Sequence, residues 1–508
     1  MPAAACESRP ANMGKAFVAR ARRVTLPFAA EESLPITITK AGSVACLICA
    51  LGSGACSLQV HDPKPLDPSL VQSQLLARDP DDPALREALG RRGVDTAQWP
   101  LQTWDVAALS ALAYELRDDL AQVRAERAVA EAARETARTR RAPGVELVTE
   151  HHGERGSNGS PWTLGLVLDL ALTGNSRRGA RVALADARAR EADWLFARRA
   201  WQTRAEVRDA HASWVAALRQ RSMLAEEAAL RREESLLYER RLALGAVSAV
   251  EPARARLREA GSARELLVAE QAIARSRMDL ARAVGLPGET LDRLRIDESP
   301  AQLEASLASP ALQRAALTDR LDVSMALERY AASDAQLQLE IARQIPEFSI
   351  KPGYAWDQGD NRWSLGLSAL LPLLDRNEGP IAEARARRDV EAARFVALQA
   401  AAIADLDRAR QLAMAAEADL EAAAKAREKE AALAARVERR FAAGDADRLE
   451  RVTAQLALNA AVRREAEARA AVERSRGNLE DAVQRPLGTI PAPERPDPAI
   501  AANAMDAR

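Results

Sequence analysis

Cysteine is nearly missing from this chain of 508 residues: all four, Cys6, Cys46, Cys49 and Cys56, fall in the first 56 positions. The body beyond them can hold neither a disulfide framework nor a thiolate zinc site. Histidine is as scarce. His61 and His211 stand alone, and the adjacent His151 and His152 would point to opposite faces of a strand, so no metal site is expected. Aromatics make up 4% of the chain, and the formal net charge of −1 gives no general attraction to nucleic acid. No window after residue 58 is long and apolar enough for a transmembrane helix, so a membrane crossing there must use β-strands. No nucleophile–base set, metal cluster or phosphate loop stands out, so neither an enzyme nor a cofactor is expected.

What remains is helix-forming. Hydrophobic residues are 48%, much of it alanine, and charged residues are 29% with both signs interleaved. Ala, Leu, Arg and Glu favour long helices with solvated faces.

The N-terminus reads as an address. In "TKAGSVACLICALGSGACSLQ", Lys40 precedes an uncharged, mostly apolar run, and Ser53, Gly54 and Ala55 stand before Cys56. That is the order of a secretory signal. Small residues before a cysteine resemble a bacterial lipobox, although Ser53 replaces its usual leucine. Cys56 is the expected lipidation site and 1–56 the signal segment. A plain secretory signal or a retained anchor over 41–58 are the alternatives. The 39 residues before Lys40 are long for such a signal, and a misassigned start would explain them.

The body reads twice. Pro143 and Pro346 differ by 203 (346 − 143), as do Asp119 and Asp322. Trp162 and Trp363 differ by 201. "RRLALG" at 240–245 matches "RRFAAG" at 439–444, an offset of 199. Anchors in one order with slowly drifting offsets indicate an internal duplication. Each copy predicts a helix (104–141; 322–344) and two strands joined by a polar turn (145–152 and 162–172; 347–357 and 362–371). A very long helix (177–240; 379–440) and a second long helix (249–285; 448–484) follow. Ile273 and Leu280, and likewise Val472 and Leu479, are seven apart, as in a coiled coil or an ordinary helix core.

The strands alternate. Trp162, Leu164, Leu166, Leu168, Leu170 and Leu172 share one face, with Thr163, Gly165 and Asp169 opposite. Trp363, Leu365 and Leu367 oppose Ser364, Gly366 and Ser368. Phe348, Ile350, Tyr354 and Trp356 oppose Glu347, Ser349, Lys351 and Asp357. Segments of about ten residues with terminal aromatics suit a transmembrane β-barrel, though a half-buried soluble sheet reads alike. Four strands cannot close a pore, and an open edge is not tolerated in lipid, so a barrel must be shared between chains. Three copies would supply twelve strands.

The duplicated order, the paired "WTLGL" and "WSLGL" strands and the segment "IPEFSIKPGYAWDQGDNRWSLGLSALLPLLDRNEGPIAEARAR" resemble outer-membrane efflux channels of the TolC family over about 100–488. The last segment is similar to the subgroup serving heavy-metal exporters of the resistance–nodulation–division type. The resemblance implies a mostly α fold with a small β part: a homotrimeric 12-stranded β-barrel in outer-membrane lipid, continued by a long α-helical barrel through the periplasm. It implies a passive duct, with a periplasmic adaptor and an inner-membrane pump as partners and heavy-metal cations as a candidate cargo. A periplasmic coiled-coil adaptor or scaffold is the alternative. The divisions expected are an extended linker at 57–103, a first repeat at 104–286, a linker at 287–319, a second repeat at 320–485 and a disordered tail at 486–508.

The same resemblance assigns the adaptor-contacting tips to Gly245, Ala246 and Val247, and to Gly444, Asp445 and Ala446. It places constriction acids at Glu251 and Glu450, six residues after each glycine. A second acid, nine after each glycine in the family, is Arg254 or Thr453 here. Ser248-x-x-Glu251 and Asp447-x-x-Glu450 also fit capping boxes, so these acids can be helix caps alone.

Overall fold

The computed structural model describes residues 61–153, 161–172, 175–301, 318–370 and 376–488, with residues 314, 490, 492, 493, 495 and 496 besides. Contacts divide the chain into Met1–Asp67 and Pro68–Arg508. The described part of the first unit, 61–67, has no helix or strand. Every element below belongs to the second.

In chain order these are α1 (Pro68–Leu76), α2 (Pro83–Arg91), α3 (Val106–Leu116), α4 (Asp118–Arg138), β1 (Gly144–His151), β2 (Trp162–Leu172), α5 (Asn175–Ala243), α6 (Val250–Val284) and α7 (Gly288–Asp292). Then come α8 (Leu321–Ala342), β3 (Glu347–Asp357), β4 (Asp360–Leu370), α9 (Glu378–Ala442) and α10 (Arg448–Val483). The order α4–β1–β2–α5–α6 is thus followed by α8–β3–β4–α9–α10. Helix α5 runs 69 residues, on the order of 100 Å at 1.5 Å each. It carries no proline, and the proline of α9, Pro380, sits in the first turn, where its missing N–H costs nothing.

Helices α6 and α10 fold back along α5 and α9, but reach only part of the way. Shorter helices complete each row. Helix α6 ends at Gly285, in the left-handed conformation at φ 87° and against Leu116 and Arg117, where α4 begins. A Cβ on Gly285 would meet Arg117 at 3.3 Å and the Leu116 carbonyl at 3.4 Å. Arg117 donates to the Ala283 carbonyl at 3.2 Å and grips Asp119 through Nε at 3.0 Å and Nη2 at 2.5 Å. The second half uses the same chemistry. Arg320 donates to the Ala482 carbonyl at 2.8 Å and grips Asp322 at 3.0 and 2.7 Å. Gln484, at φ 48°, accepts from the Leu321 N–H at 2.8 Å through its side chain. Each junction satisfies orphan backbone groups of two abutting helix ends.

That junction explains one correction. The single helix expected over 104–141 is two, because Arg117 leaves the helical conformation (φ −73°, ψ 126°) and its guanidinium turns to Asp119, Glu206 and Ala283. Asp118 and Asp119 then fall in the first turn of α4, where negative charge favours a helix.

The apolar core lies at this level. Trp104, Leu109 and Leu112 pack with Val207 of α5, Leu280 and Val284 of α6, and Leu291 of α7. The stretch expected as an extended linker, 57–103, contains α1 and α2 instead, and Leu89 is fully buried in the core. Between the halves, Ile296 bridges to Trp104, so the start of the 287–319 linker is also structured. In the tail expected to be disordered, Ile490 is buried, and its carbonyl accepts from Arg204 at 3.3 Å. An apolar residue can be buried without secondary structure when polar neighbours satisfy its backbone.

Candidate functional site

The four strands form one antiparallel sheet in the order β1-β2-β3-β4, so β2 and β3 join the two halves. The turn between β3 and β4 is tight: Gln358 (φ 51°) and Gly359 (φ 112°) both have positive φ, as a two-residue type I′ hairpin needs. Strand β4 therefore starts at Asp360, two residues earlier than expected. The polar turn at 154–160 lies outside the described residues.

The register fixes the faces. Leu147 opposes Leu166, Leu166 opposes Tyr354, and Tyr354 opposes Trp363. Residues directly opposite share a face, so the leucines and aromatics lie together. This face is bare: Trp363 is 82% exposed, Leu365 77% and Leu367 71%, while Thr163 on the opposite face of β2 is 8% exposed. Aromatics cluster near the hairpin ends, where His151 meets Trp162 edge-on at 4.6 Å and Tyr354 meets Trp363 at 4.8 Å.

The opposite face is polar and close-packed. A Cβ on Gly353 would fall 2.5 Å from the Ser364 hydroxyl. Carboxylates at Glu146, Glu150, Asp169, Asp357 and Asp360 outnumber the cations Lys351 and Arg362. A chain of contacts crosses all the strands at one end. His152 Nε2 lies 2.9 Å from the Thr163 hydroxyl, which donates to Asp357 at 2.5 Å, and Asp357 pairs with Arg362. In the sequence His152 reads only as half of an adjacent histidine pair, because its partners Thr163 and Asp357 lie one and two strands away.

At the far end of the long helices, both tips close alike. Gly245 (φ 71°) and Gly444 (φ 84°) follow the last helical turn. The next N–H groups, of Ala246 and Asp445, reach back to the Arg241 and Arg440 carbonyls at 2.8 Å each. This is a Schellman closure, and its left-handed residue favours glycine. Gly245 and Ala246 are exposed and Val247 half-buried; Gly444 and Asp445 are exposed and Ala446 half-buried.

The acids near the tips differ. Asp447 caps α10, accepting from the Glu450 N–H at 2.9 Å. Ser248 makes no such side-chain bond, and α6 starts from Ala249 uncapped. Glu450 pairs with Arg440 at 2.5 Å and Glu251 with Arg254 at 3.8 Å; both carboxylates are 40% exposed. Arg241 to Asp447 and Arg448 to Glu233, each at 2.6 Å, tie the two hairpins together. Cys56 lies outside the described residues.

Among the described residues, no group of His, Cys, Asp and Glu is placed to hold a metal ion, and no helix is long and apolar enough to cross a membrane. One sheet with a bare apolar face, continued by long helices of which α5 is on the order of 100 Å, matches the fold of solved outer-membrane efflux channels. Residues 109–286 match the outer membrane efflux protein family. The fold is similar to that of the outer membrane protein VceC of Vibrio cholerae, with TM-score 0.62 at 18% identity over 76% of this chain and 96% of that one. It is similar to the outer-membrane channel OprN (0.62; 20%; 84% and 99%) and to the CmeC channel of Campylobacter jejuni (0.62; 12%; 89% and 99%). Comparison with curated protein sequences gives no match.

Proposed function

We propose that this chain is the outer-membrane component of a tripartite efflux system, a passive homotrimeric duct working with a periplasmic adaptor and an inner-membrane pump. The observation that carries this reading is the bare apolar sheet face. Val145, Leu147, Leu166, Phe348, Trp363 and Leu367 are all exposed on one face, a contiguous patch that water would penalise and lipid would not. Strands β1 and β4 have no outer partner among the described residues, so lipid requires other chains to pair with them. Three copies would close twelve strands with the polar face inward.

The twin Arg-x-Asp junctions at 117–119 and 320–322 support the internal duplication. Exposed apolar residues on α6 (Leu257, Val268, Met278) and α9 (Val390, Ile403, Met414) suit burial between copies in a helical barrel. Six carboxylates from Glu251 and Glu450 would line the closed end, and residues 245–247 and 444–446 would meet the adaptor. Heavy-metal cations as cargo rest on the subgroup resemblance, and the acidic excess on the inward sheet face agrees with a cationic cargo. The adaptor reading has less support, since an adaptor has no need of an apolar sheet face.

Purification in detergent with mass measurement, then conductance in planar bilayers, tests the duct. A monomer that forms no channel would sink it. Lipidation at Cys56 is checked by mass spectrometry of the mature N-terminus: a diacylglyceryl cysteine is expected, and an intact unacylated 41–58 segment would refute it.

A further inference from the structure

A pocket of about 150 Å³ lies beside the core, away from both the sheet and the tips, where α3, α4 and α5 meet the C-terminal segment. Its walls carry Arg92, Arg124 and Arg127 and, among the described residues, no carboxylate. Aromatic rings hold the guanidiniums in place. Arg92 lies 4.9 Å over the Tyr114 ring, and Arg124 and Arg127 lie 5.8 and 5.9 Å from the same Phe196 ring. Two of the three charges are met from outside the pocket: Arg92 pairs with Glu115 at 2.8 Å and Arg127 with Asp193 at 2.5 Å. The polar contact of Arg124 is a long one, 3.3 Å to the Tyr114 carbonyl. Two guanidiniums sharing one ring repel each other, and Arg124 has no counter-charge among the described residues.

We propose that this pocket binds an oxyanion of carboxylate, phosphate or sulfate type, with Arg124 as its principal donor. Guanidinium forks match such oxygens in pairs, and cation–π seating pre-organises them. The anion has two possible sources. Pro493 forms part of the wall, and Glu494 and Asp497, which lie outside the described residues, follow it in the sequence, so a carboxylate of the same chain is one source. A free anion from solution is the other source. The proposal does not depend on the channel reading.

Sulfate titrated calorimetrically into the full chain in detergent, at constant ionic strength, tests it. Saturable binding to the wild type marks a free anion as the occupant. Binding that emerges only in Glu494→Gln/Asp497→Asn marks the tail as the occupant. In whichever chain binds, Arg124→Gln should weaken sulfate at least tenfold, and Arg127→Gln, read the same way, replaces it where it fails to fold. No sulfate binding in either chain, or unchanged affinity in the arginine variant, overturns the proposal.

Discussion

Arg204 and Glu480 face each other in a two-pronged pair, Nη1 to Oε2 and Nη2 to Oε1 both at 2.7 Å, with neither side chain exposed. It fastens α5 of the first half to α10 of the second. Glu480 also accepts from Arg208 at 2.6 Å and from the Leu487 N–H at 2.8 Å. Burial alone would raise its pKa, but the hydrogen bonds and charge of Arg204 prevail and hold it below the ordinary carboxylate range. A lowered carboxyl contributes stability above its unfolded value, and that contribution is lost as pH falls from about 4.5 toward the lower folded value.

Replacing Glu480 by alanine strands the buried Arg204, so the chain should lose about 3–5 kcal/mol, the usual cost of breaking one side of a buried pair. Thermal melts at neutral pH measure it. An unchanged melting temperature would mean that water already reaches Arg204.

This pair was not legible in the sequence, whereas the sheet and the long helices were. Strand alternation and the absence of breakers are local signals, which is why β2 and α6 fall within a residue of where periodicity puts them. Arg204 and Glu480 are 276 positions apart and sit among many arginines and glutamates of similar look. The Arg-x-Asp junctions were half visible: Asp119 and Asp322 stand at a repeat offset, but nothing local says that Arg117 and Arg320 reach a carbonyl of another helix. The capping boxes read alike in sequence and differ in three dimensions, because α6 begins from Ala249 and leaves Ser248 one residue short.

His211 is buried against Trp214, with Nε2 2.7 Å from the Asp297 carbonyl. Burial pushes its pKa down, more than the Asp297 carbonyl and carboxylate push it up. A lowered histidine binds fewer protons folded than unfolded, so its contribution is intact above about pH 6.5 and shrinks as pH falls toward the lower folded value. Denaturant midpoints between pH 7.5 and 5.5 should fall for the wild type and less steeply for His211→Gln. Parallel curves would show that another group sets this slope.

Arginine at Leu166 or Leu367 tests which sheet face meets lipid. Near mid-bilayer it should cost about 2–4 kcal/mol and deplete the chain from the outer membrane. The control belongs at Ser368 rather than at Gly165, where any Cβ would press on Ala355 at 3.3 Å and confuse packing with exposure. Arginine at Ser368 should insert nearly as well as the wild type. Equal damage from both faces would point to a soluble, two-sided sheet.

The tips separate charge from capping. Glu251 and Glu450 each have an arginine neighbour, Arg254 at 3.8 Å and Arg440 at 2.5 Å, so a ring of these carboxylates would be partly neutralised from within its own chain. If the ring sets selectivity, Gln at both glutamates should lower the preference for cations in bilayer recordings, and Gln at Arg254 and Arg440 should raise it. Capping predicts neither change. The Asp447 cap survives in both variants, so melting temperatures should hold, whereas Asp447→Ala should cost about 1 kcal/mol through the lost bond to the Glu450 N–H. Opposite shifts in selectivity at constant stability would place the two acids on the conduction path. Selectivity that ignores both pairs of substitutions would leave Glu450 and Glu251 as helix-start residues and move the constriction elsewhere.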